Sequence, residues 1–229
     1  MKRNLTIIVM LFCCLAISAQ NDVTTFLGIP VDGYKTDMKK KLISKGFTSN
    51  KYSQNQDCLE GEFNGTDVNV FIVTNNNKVF RIMLCDANTQ NEASIKIRFN
   101  RLVSQFEKNN RYLSFNSYTI SEEEDISYEM SVNNKIYEAI FYQVPDHEKL
   151  DTVAIHNQAR QELLKQFTEE QLNNPTEEVK QEIQLANLSI VMDLISKKPV
   201  WFRIMEAFGK YYIAMYYDNE YNHANGEDL

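Results

Sequence analysis

Two-residue turn sequences between runs of alternating polar and apolar residues constrain the fold of this chain more than any other feature. In "CLEGEFNGTDVNVFIVTNNNKVFRIMLCD", Asn64-Gly65 separates two runs in which polar and apolar residues alternate. A type I′ turn requires positive φ at both central positions, and Asn-Gly is a preferred pair for it. We therefore predict that Phe63 faces Thr66 and that a second turn at "TNNNK" adds a third strand. This segment is expected to form a three-stranded meander.

Two further segments carry similar signals. "DISYEMSVNNKIYEAIFYQV" is predicted to form a hairpin that turns at Asn133-Asn134, and "VWFRIMEAFGKYYIAMYYD" is predicted to turn near Phe208-Gly209. The strands that follow the three turns can be aligned as "NNKVFRIML", "NNKIYEAIF" and "FGKYYIAMY". This alignment indicates either a weak internal repeat or convergent hairpin chemistry.

Segments with helical spacing of apolar residues separate these blocks. We predict helices in "YKTDMKKKLISKGF" and "NEASIKIRFNRLVSQFEKN", and a helical pair over 152–196 that is broken at "NNPTEE". Strands joined by hairpins must be antiparallel, and amphipathic helices must bury their apolar side. The predicted fold is therefore α+β: an antiparallel sheet of about eight strands built from hairpins and meanders, with helices packed on one face.

The N-terminal residues have the layout of a secretory signal peptide. Lys2 and Arg3 precede the apolar run "LTIIVMLFCCLAIS", which is too short for an ordinary membrane span. We predict cleavage after Ala19, no later membrane segment, and export to the periplasm, to the outer membrane or to the medium. A lipid anchor on Cys13 or Cys14 is the alternative, although the residues before them lack the small side chain that such sites normally need.

The mature chain is predicted to be one α+β domain over 20–229, made of two related halves at approximately 24–86 and 91–217. The second half would hold the helical pair at 152–196. Loss of residues 1–19 changes the formal charge from −7 to −9, because that segment contains two basic residues and no acid. An acidic chain without a basic cluster disfavours nucleic acid and anionic membranes as partners. A protein or a glycan is the expected partner.

Three stretches resemble a group of uncharacterised exported proteins of anaerobic Gram-negative gut bacteria. They are "FLGIPVDGYKTDMKKKLISKGF", "LEGEFNGTDVNVFIVTNNNKVFRIM" and "GKYYIAMYYDNEYNHANGEDL". This resemblance implies export and carries no function to transfer. Separately, the repeated order of helix and meander is similar to the tandem architecture of β-lactamase inhibitory protein, without a shared motif. That architectural similarity implies a sheet surface that binds another protein.

The same resemblance implies a glycosylation candidate. Exported glycoproteins of such bacteria commonly carry O-glycans at Asp-Ser/Thr followed by an apolar residue, and Asp151-Thr152-Val153 fits that pattern. The alternative is that Thr152 only caps the helix that follows.

The sequence lacks the common catalytic motifs. There is no GxSxG, GxxxxGK, GxGxxG or HExxH, and His147, His156 and His223 lack the spacing of paired metal ligands. No catalytic residue, cofactor or metal is therefore predicted. Glu129 and Glu138 would lie opposite each other across the second hairpin, which leaves a hydrolase with paired carboxylates as the third-ranked hypothesis.

Cys58 and Cys85 are the two cysteines of the mature chain. The predicted register places them about four residue steps apart, or ~13 Å, which is too far for a disulfide. Two free and mostly buried thiols are expected.

The C-terminal stretch "YYDNEYNHANGEDL" is rich in acids and amides. Asp218, Glu220 and Asn222 alternate like the first ligands of a calcium loop. Such a loop needs Gly at its sixth position and a bidentate acid at its twelfth, whereas here the Gly is the ninth residue, Gly226, and the twelfth is Leu229. These three residues are a weak metal candidate. The favoured interpretation is the solvent-exposed end of the last strand.

The last hairpin carries the candidate ligand-binding residues Trp201, Tyr211, Tyr212, Tyr216 and Tyr217. Alternation places Tyr211 and Tyr217 on one face of the strand and Tyr212 and Tyr216 on the other. Tyrosine and tryptophan stack on sugar rings and are enriched in protein interfaces. We expect a non-enzymatic binding protein whose exposed aromatic sheet face meets a protein partner. Carbohydrate binding by the same aromatic residues is the alternative.

Overall fold

The computed structural model describes residues 22–49, 58–146 and 152–223. Within these ranges the fold is α+β, as predicted, with an eight-stranded antiparallel sheet, a two-stranded ribbon and six α-helices. The strands are β1 (Thr25–Phe26), β2 (Ile29–Pro30), β3 (Thr48–Ser49), β4 (Cys58–Phe63), β5 (Thr66–Asn75), β6 (Lys78–Asp86), β7 (Tyr112–Leu113), β8 (Glu138–Gln143), β9 (Pro199–Ala207) and β10 (Lys210–Asp218). The helices are α1 (Lys35–Ser44), α2 (Glu92–Glu107), α3 (Ile126–Val132), α4 (Thr152–Leu163), α5 (Glu169–Asn173) and α6 (Glu177–Ser196).

Strands β4, β5 and β6 form the predicted meander. Phe63 pairs with Thr66, as expected. The turn residues Asn64 and Gly65 both have positive φ, at 52° and 72°. Asn and Gly tolerate this backbone region better than other residues, so the local turn chemistry sets the register of these strands.

Strands β9 and β10 form the predicted third hairpin, and its turn residues Phe208 and Gly209 also have positive φ. Strand β10 pairs with β6 as well, which gives the strand order β3-β4-β5-β6-β10-β9-β8-β7. The last strand of the chain therefore lies in the middle of the sheet, beside the first meander.

The predicted second hairpin is wrong, because its first arm is helix α3. Asp125 caps this helix by accepting a hydrogen bond from the backbone N–H of Tyr128 at 2.8 Å. Ile126 is fully buried and Met130 packs against the core, whereas Tyr128 between them is exposed. A separation of four residues between the core-facing positions is helical, and the apparent alternation was coincidental.

Because the predicted second hairpin does not form, Glu129 and Glu138 are not opposite each other on paired strands. Glu129 lies on α3 and accepts a hydrogen bond from the Asn133 side chain at 3.0 Å. Glu138 lies on β8 and is in register with Arg203 of β9. The cross-strand carboxylate pair that motivated the hydrolase hypothesis is therefore not formed.

One face of the large sheet packs against α1, α2 and α3 to form the core. Five neighbouring strands each contribute one buried residue to a continuous row: Val70, Leu84, Met215, Phe202 and Ala139. Helix α2 adds an apolar stripe of Ile95, Phe99, Leu102, Val103 and Phe106. Each large aliphatic or aromatic side chain buried in this way contributes roughly 1.5–3 kcal/mol.

Cys58 and Cys85 are both free, as predicted, with Cys58 buried and Cys85 partly exposed. The predicted separation along the strands was wrong. Cys58 is opposite Phe71 and Phe71 is opposite Met83, so the cysteines are two residue steps and two strands apart. Two strand spacings alone are roughly 9.5 Å, beyond the Cα separation of a disulfide.

The described residues divide into two compact units. The sheet unit contains Val23–Val144 and 191–223, and the helical unit contains Asp22, 145–146 and 152–190. One continuous domain over 20–229, with related halves at 24–86 and 91–217, stays a prediction.

The helical unit contains α4, α5 and most of α6. The predicted break at "NNPTEE" is confirmed, and Thr176 accepts a hydrogen bond from the backbone N–H of Val179 at 3.4 Å to cap α6. A short helix that was not predicted, α5, precedes the break and begins with a capping box of Thr168 and Gln171. Within the described ranges, no helix is both long and apolar enough to cross a bilayer.

Candidate functional site

The structure separates the five predicted aromatic residues into two groups, as their alternation indicated. Tyr211 and Tyr217 are buried in the core beneath the helices. The opposite face of the sheet carries Trp201, Tyr212 and Tyr216. Side chains alternate between the two faces along β9 and β10, and these three alternate with the residues that face the core. A single surface therefore cannot use all five.

Trp201 and Tyr216 form the centre of that opposite face. They are directly paired across β9 and β10, and their rings are stacked with centroids 3.9 Å apart and planes inclined by 16°. The same row continues over the neighbouring strands as Phe71, Met83, Tyr216, Trp201 and Ile140. We call this row the Trp201 face; Tyr216 is buried and the other four side chains are partly exposed.

Asp218 fixes the position of this aromatic pair. Its two carboxylate oxygens accept hydrogen bonds from Nε and Nη2 of Arg81 at 2.6 and 2.7 Å. One of the same oxygens accepts a hydrogen bond from Nε1 of Trp201 at 2.9 Å. The hydroxyl of the buried Thr24 also donates to the backbone carbonyl of Asp218. The buried Asp218 carboxylate is therefore neutralised by the Arg81 guanidinium, and it holds the Trp201 indole through a separate hydrogen bond.

Arg81 contributes a second set of contacts above the aromatic pair. Its guanidinium carbon lies 4.9 Å from the ring centroid of Tyr216 and 5.5 Å from that of Trp201. The hydrogen bonds to Asp218 raise the pKa of Arg81 above its ordinary value, although burial acts in the opposite direction. A permanently charged, partly desolvated guanidinium over aromatic rings gives this cluster a defined geometry.

A shallow pocket of about 350 Å³ opens beside Trp201. Besides the indole, it is lined by Ile140, Tyr142, Pro199, Ser196 and the carboxylates of Glu138, Asp218 and Glu220. Because Arg81 neutralises Asp218, the negative character of the pocket comes from Glu138 and Glu220. An aromatic wall combined with carboxylates can accept a cationic group or the hydroxyl groups of a sugar.

The segment after β10 is not the solvated end that we expected. Asp218 and Asn219 are buried, and the Asn219 side chain donates to the carbonyl of Val31 at 2.7 Å. Asn222 donates to the Asp32 carboxylate at 2.8 Å and to the Val79 carbonyl at 2.9 Å. This segment ties the end of the last strand to the beginning of the sheet unit. Residues 224–229 lie outside the described residues.

The weak calcium candidates have different hydrogen-bond partners in the structure. Asp218 accepts hydrogen bonds from Arg81 and Trp201. Asn222 donates a hydrogen bond to Asp32, and Glu220 lines the pocket beside Trp201. Across the described residues, no group of three His, Cys, Asp or Glu side chains is placed to hold a metal ion.

The glycosylation candidate Thr152 is the first residue of α4. Asp151 before it and His147 lie outside the described residues, so glycosylation of Thr152 stays a prediction. His223 packs edge-on against the ring of Phe80 at 5.3 Å.

Comparison of the chain with protein-family models, with curated proteins and with solved structures found no match. Function is therefore inferred from the geometry of the described residues.

Sequence reasoning missed the Arg81–Asp218 pair, which organises the site. The available signal was a single arginine inside the apolar run "KVFRIMLC" and a single acid at the end of "YYIAMYYD". Charged residues in such runs are rarely buried without a partner. Nothing local connects the two residues, because they are 137 positions apart in the chain.

Proposed function

We propose that this chain is an exported, non-enzymatic binding protein that docks a protein partner on the Trp201 face. The observation that supports this most strongly is the pre-ordered Trp201–Tyr216 pair, held by Asp218 and Arg81 and flanked by an acidic pocket. Side chains that are already fixed lose little conformational entropy when a partner binds.

The arrangement of the surrounding rows matches the anatomy of a protein interface. The Trp201 face is an apolar centre, and the next row across the same strands is more polar: Asn69, Cys85, Ala214, Arg203 and Glu138. Protein interfaces commonly have such an apolar core and polar rim, with Trp, Tyr and Arg as the residues whose loss weakens binding most.

The acidic pocket supports a partner with a basic side chain. A Lys or Arg side chain that enters it would meet the Trp201 ring and the carboxylates of Glu138 and Glu220. The proposed mature chain carries a formal charge of −9, which favours encounter with a basic surface. We therefore propose a partner that presents a basic side chain within an apolar patch.

Affinity capture with immobilised residues 20–229 tests this proposal. Trp201→Ala and the charge reversal Glu138→Lys are each expected to reduce capture of one partner by about tenfold or more, the effect of removing an interface hot spot. Glu138 is exposed, so its substitution leaves the fold intact. Tyr34→Ala is the matched control, since Tyr34 is an exposed aromatic residue outside this face. Capture that both variants leave unchanged would contradict the proposal.

Carbohydrate binding is the second candidate, supported by the combination of an indole ring, Glu138, Glu220 and Ser196 in one pocket. The same capture experiment separates the two functions. A protein partner should stay bound in excess free glycan, and a glycan ligand should be competed off. The second outcome, together with loss of binding in Trp201→Ala, would favour the carbohydrate function.

A further inference from the structure

We propose that the sheet unit also binds an aromatic small molecule with an anionic group, in a pocket on the opposite, helix-covered side. This pocket is an open cleft with a volume of about 540 Å³. Ligand sites usually measure about 300–1,000 Å³ and are mostly apolar with a few polar groups. The site is independent of the Trp201 face, because its walls come from the core side of the sheet, from α2 and from the segment after α1, and none of its lining residues belongs to that face.

Aromatic side chains dominate the interior of the pocket. Its walls include Phe47, Phe63, Phe106, Tyr112 and Tyr217, with Leu102 between them. A planar apolar ring placed there would meet ring edges and faces on several sides, an arrangement that adds roughly 0.5–1.5 kcal/mol for each aromatic pair beyond the burial of area.

The walls are held in place before any ligand binds. Phe106 packs edge-on against Tyr112 at 4.6 Å, and Phe63 packs edge-on against Tyr217 at 6.4 Å. Phe47 lies directly over Gly61, where an added Cβ would come within 2.6 Å of its ring. The glycine therefore leaves room for Phe47 to form part of the wall.

Two of the residues that line the pocket, Tyr112 and Tyr217, carry hydroxyl groups. The hydroxyls of Tyr217 and Tyr112 are hydrogen bonded to each other, and burial raises the pKa of Tyr217 well above its ordinary value. Gln143 donates to the Tyr112 hydroxyl at 3.4 Å. A neutral hydroxyl pair at this position can exchange one hydrogen bond with a ligand without exposing a buried charge.

The mouth of the pocket is polar and contains one cation. Asn64, in the β4–β5 turn, donates to the Gln105 side chain of α2 at 2.6 Å and closes one side. Lys45, Glu62 and Asn109 also line the pocket, and their side chains are exposed. Lys45 is the one basic side chain among these lining residues and Glu62 is the one acidic side chain. The proposal assigns the anionic group of the ligand to Lys45 and its ring to the phenylalanine side chains.

The dye 8-anilinonaphthalene-1-sulfonate is a probe with this chemistry. We expect one molecule to bind per folded chain, measured by dye fluorescence under direct excitation. Asn109→Trp should plug the mouth and weaken binding by about tenfold or more, as expected when a ligand loses most of its buried area. Asn187→Trp, at an exposed position of α6, is the matched control and should leave the affinity unchanged.

Two further comparisons define the ligand class. Lys45→Gln should weaken binding of the sulfonate about threefold, the value of one exposed ion pair. The same variant should not affect N-phenyl-1-naphthylamine, which has the same rings and no charge. Dye binding that Asn109→Trp leaves within twofold of the wild type, or no binding to the folded chain, would overturn the proposal. Trp201→Ala should not change dye binding, so the outcome is separate from that of the partner experiment.

Discussion

Asp218 accepts hydrogen bonds from both Arg81 and Trp201 in the aromatic cluster, so its charge should matter for both stability and site geometry. Its side chain is only 4% exposed and that of Arg81 is 23% exposed. Asp218→Asn removes the anion and leaves a partly buried guanidinium without its charged partner. We expect the free energy of unfolding to fall by about 2–3 kcal/mol, somewhat less than the loss of one member of a fully buried pair.

Urea unfolding and tryptophan emission together check this prediction. Trp201 is the only tryptophan in the sequence, so its emission reports directly on the site and should shift to the red when the bond to Asp218 is weakened. Asp193→Asn is the control, because Asp193 makes an exposed ion pair with Lys197. A loss below about 1 kcal/mol in Asp218→Asn would mean that the pair contributes little.

The Cys85 thiol provides a pH-dependent test of the same face. Burial, with a smaller contribution from the neighbouring Asp86 carboxylate, raises the pKa of Cys85 from 9.0 to about 11. Because the folded pKa is the higher one, the stabilisation from this thiol is complete below pH 9 and decreases as the pH rises from 9 towards 11.

Alkylation by iodoacetamide, followed by mass spectrometry in a Cys58→Ser variant, measures the thiolate directly. The rate should still be rising at pH 10 in the folded chain, whereas the same chain in urea should level off near pH 9. A plateau near pH 9 in the folded chain would show that Cys85 is not buried as described.

At the residue scale, the sequence predicted which aromatic residues share a face but not what holds them. Trp201 and Tyr216 are on one face because strand residues alternate, and alternation can be seen in the sequence. Their anchoring by Asp218 and Arg81 depends on β10 lying beside β6. That contact is distant in the chain, and local patterns carry no information about it.

At the element scale, turn chemistry was a reliable guide only where both arms were strands. The β4–β5 turn was placed correctly because two positive-φ positions favour residues such as Asn and Gly, and in the β9–β10 turn Gly209 alone supplied that signal. Asn134 also has positive φ, but it follows helix α3 and does not join two strands. The Asp125 cap was the signal that distinguished this helix from a strand.

The β9–β10 turn contains an unusual residue that gives a prediction for this element. Phe208 has φ 54° and is entirely exposed, so its ring gains nothing from burial. Left-handed backbone is unfavourable for a bulky residue, and Asn adopts it at lower cost. We expect Phe208→Asn to raise the free energy of unfolding by about 0.5–1 kcal/mol, measured by urea unfolding.

The control for this turn is Phe115→Asn. Phe115 is also an exposed phenylalanine, but its φ is not positive, so its replacement should not stabilise the chain. A decrease in stability for Phe208→Asn would show that the Phe208 ring makes contacts in the folded protein.

At the scale of the whole molecule, the antiparallel sheet and its covered face could be predicted, but the order of its strands could not. Hairpins dictate which consecutive strands are neighbours, and amphipathic helices dictate which face is covered. The pairing of β10 with β6 joins two hairpins through long-range contacts. Both the Trp201 face and the aromatic pocket depend on that pairing.

The proposed export predicts the mass of the protein isolated from the cells that make it. Its intact mass should correspond to residues 20–229, and an additional glycan mass that Thr152→Ala removes would support glycosylation of Thr152. A mass that includes Cys13 or Cys14 with a lipid would instead show an anchored protein. A mass equal to that of unmodified residues 20–229 would support export and would contradict glycosylation of Thr152.

Site-specific photo-crosslinking in those cells tests recognition through the Trp201 face most directly. A benzophenone amino acid is placed at Ile140, on this face, and in a matched variant at Ile97, an exposed position of helix α2 on the covered side. We predict that position 140 forms a covalent adduct with one protein and that position 97 does not. Equal adducts at both positions, or none at position 140, would contradict the proposed function.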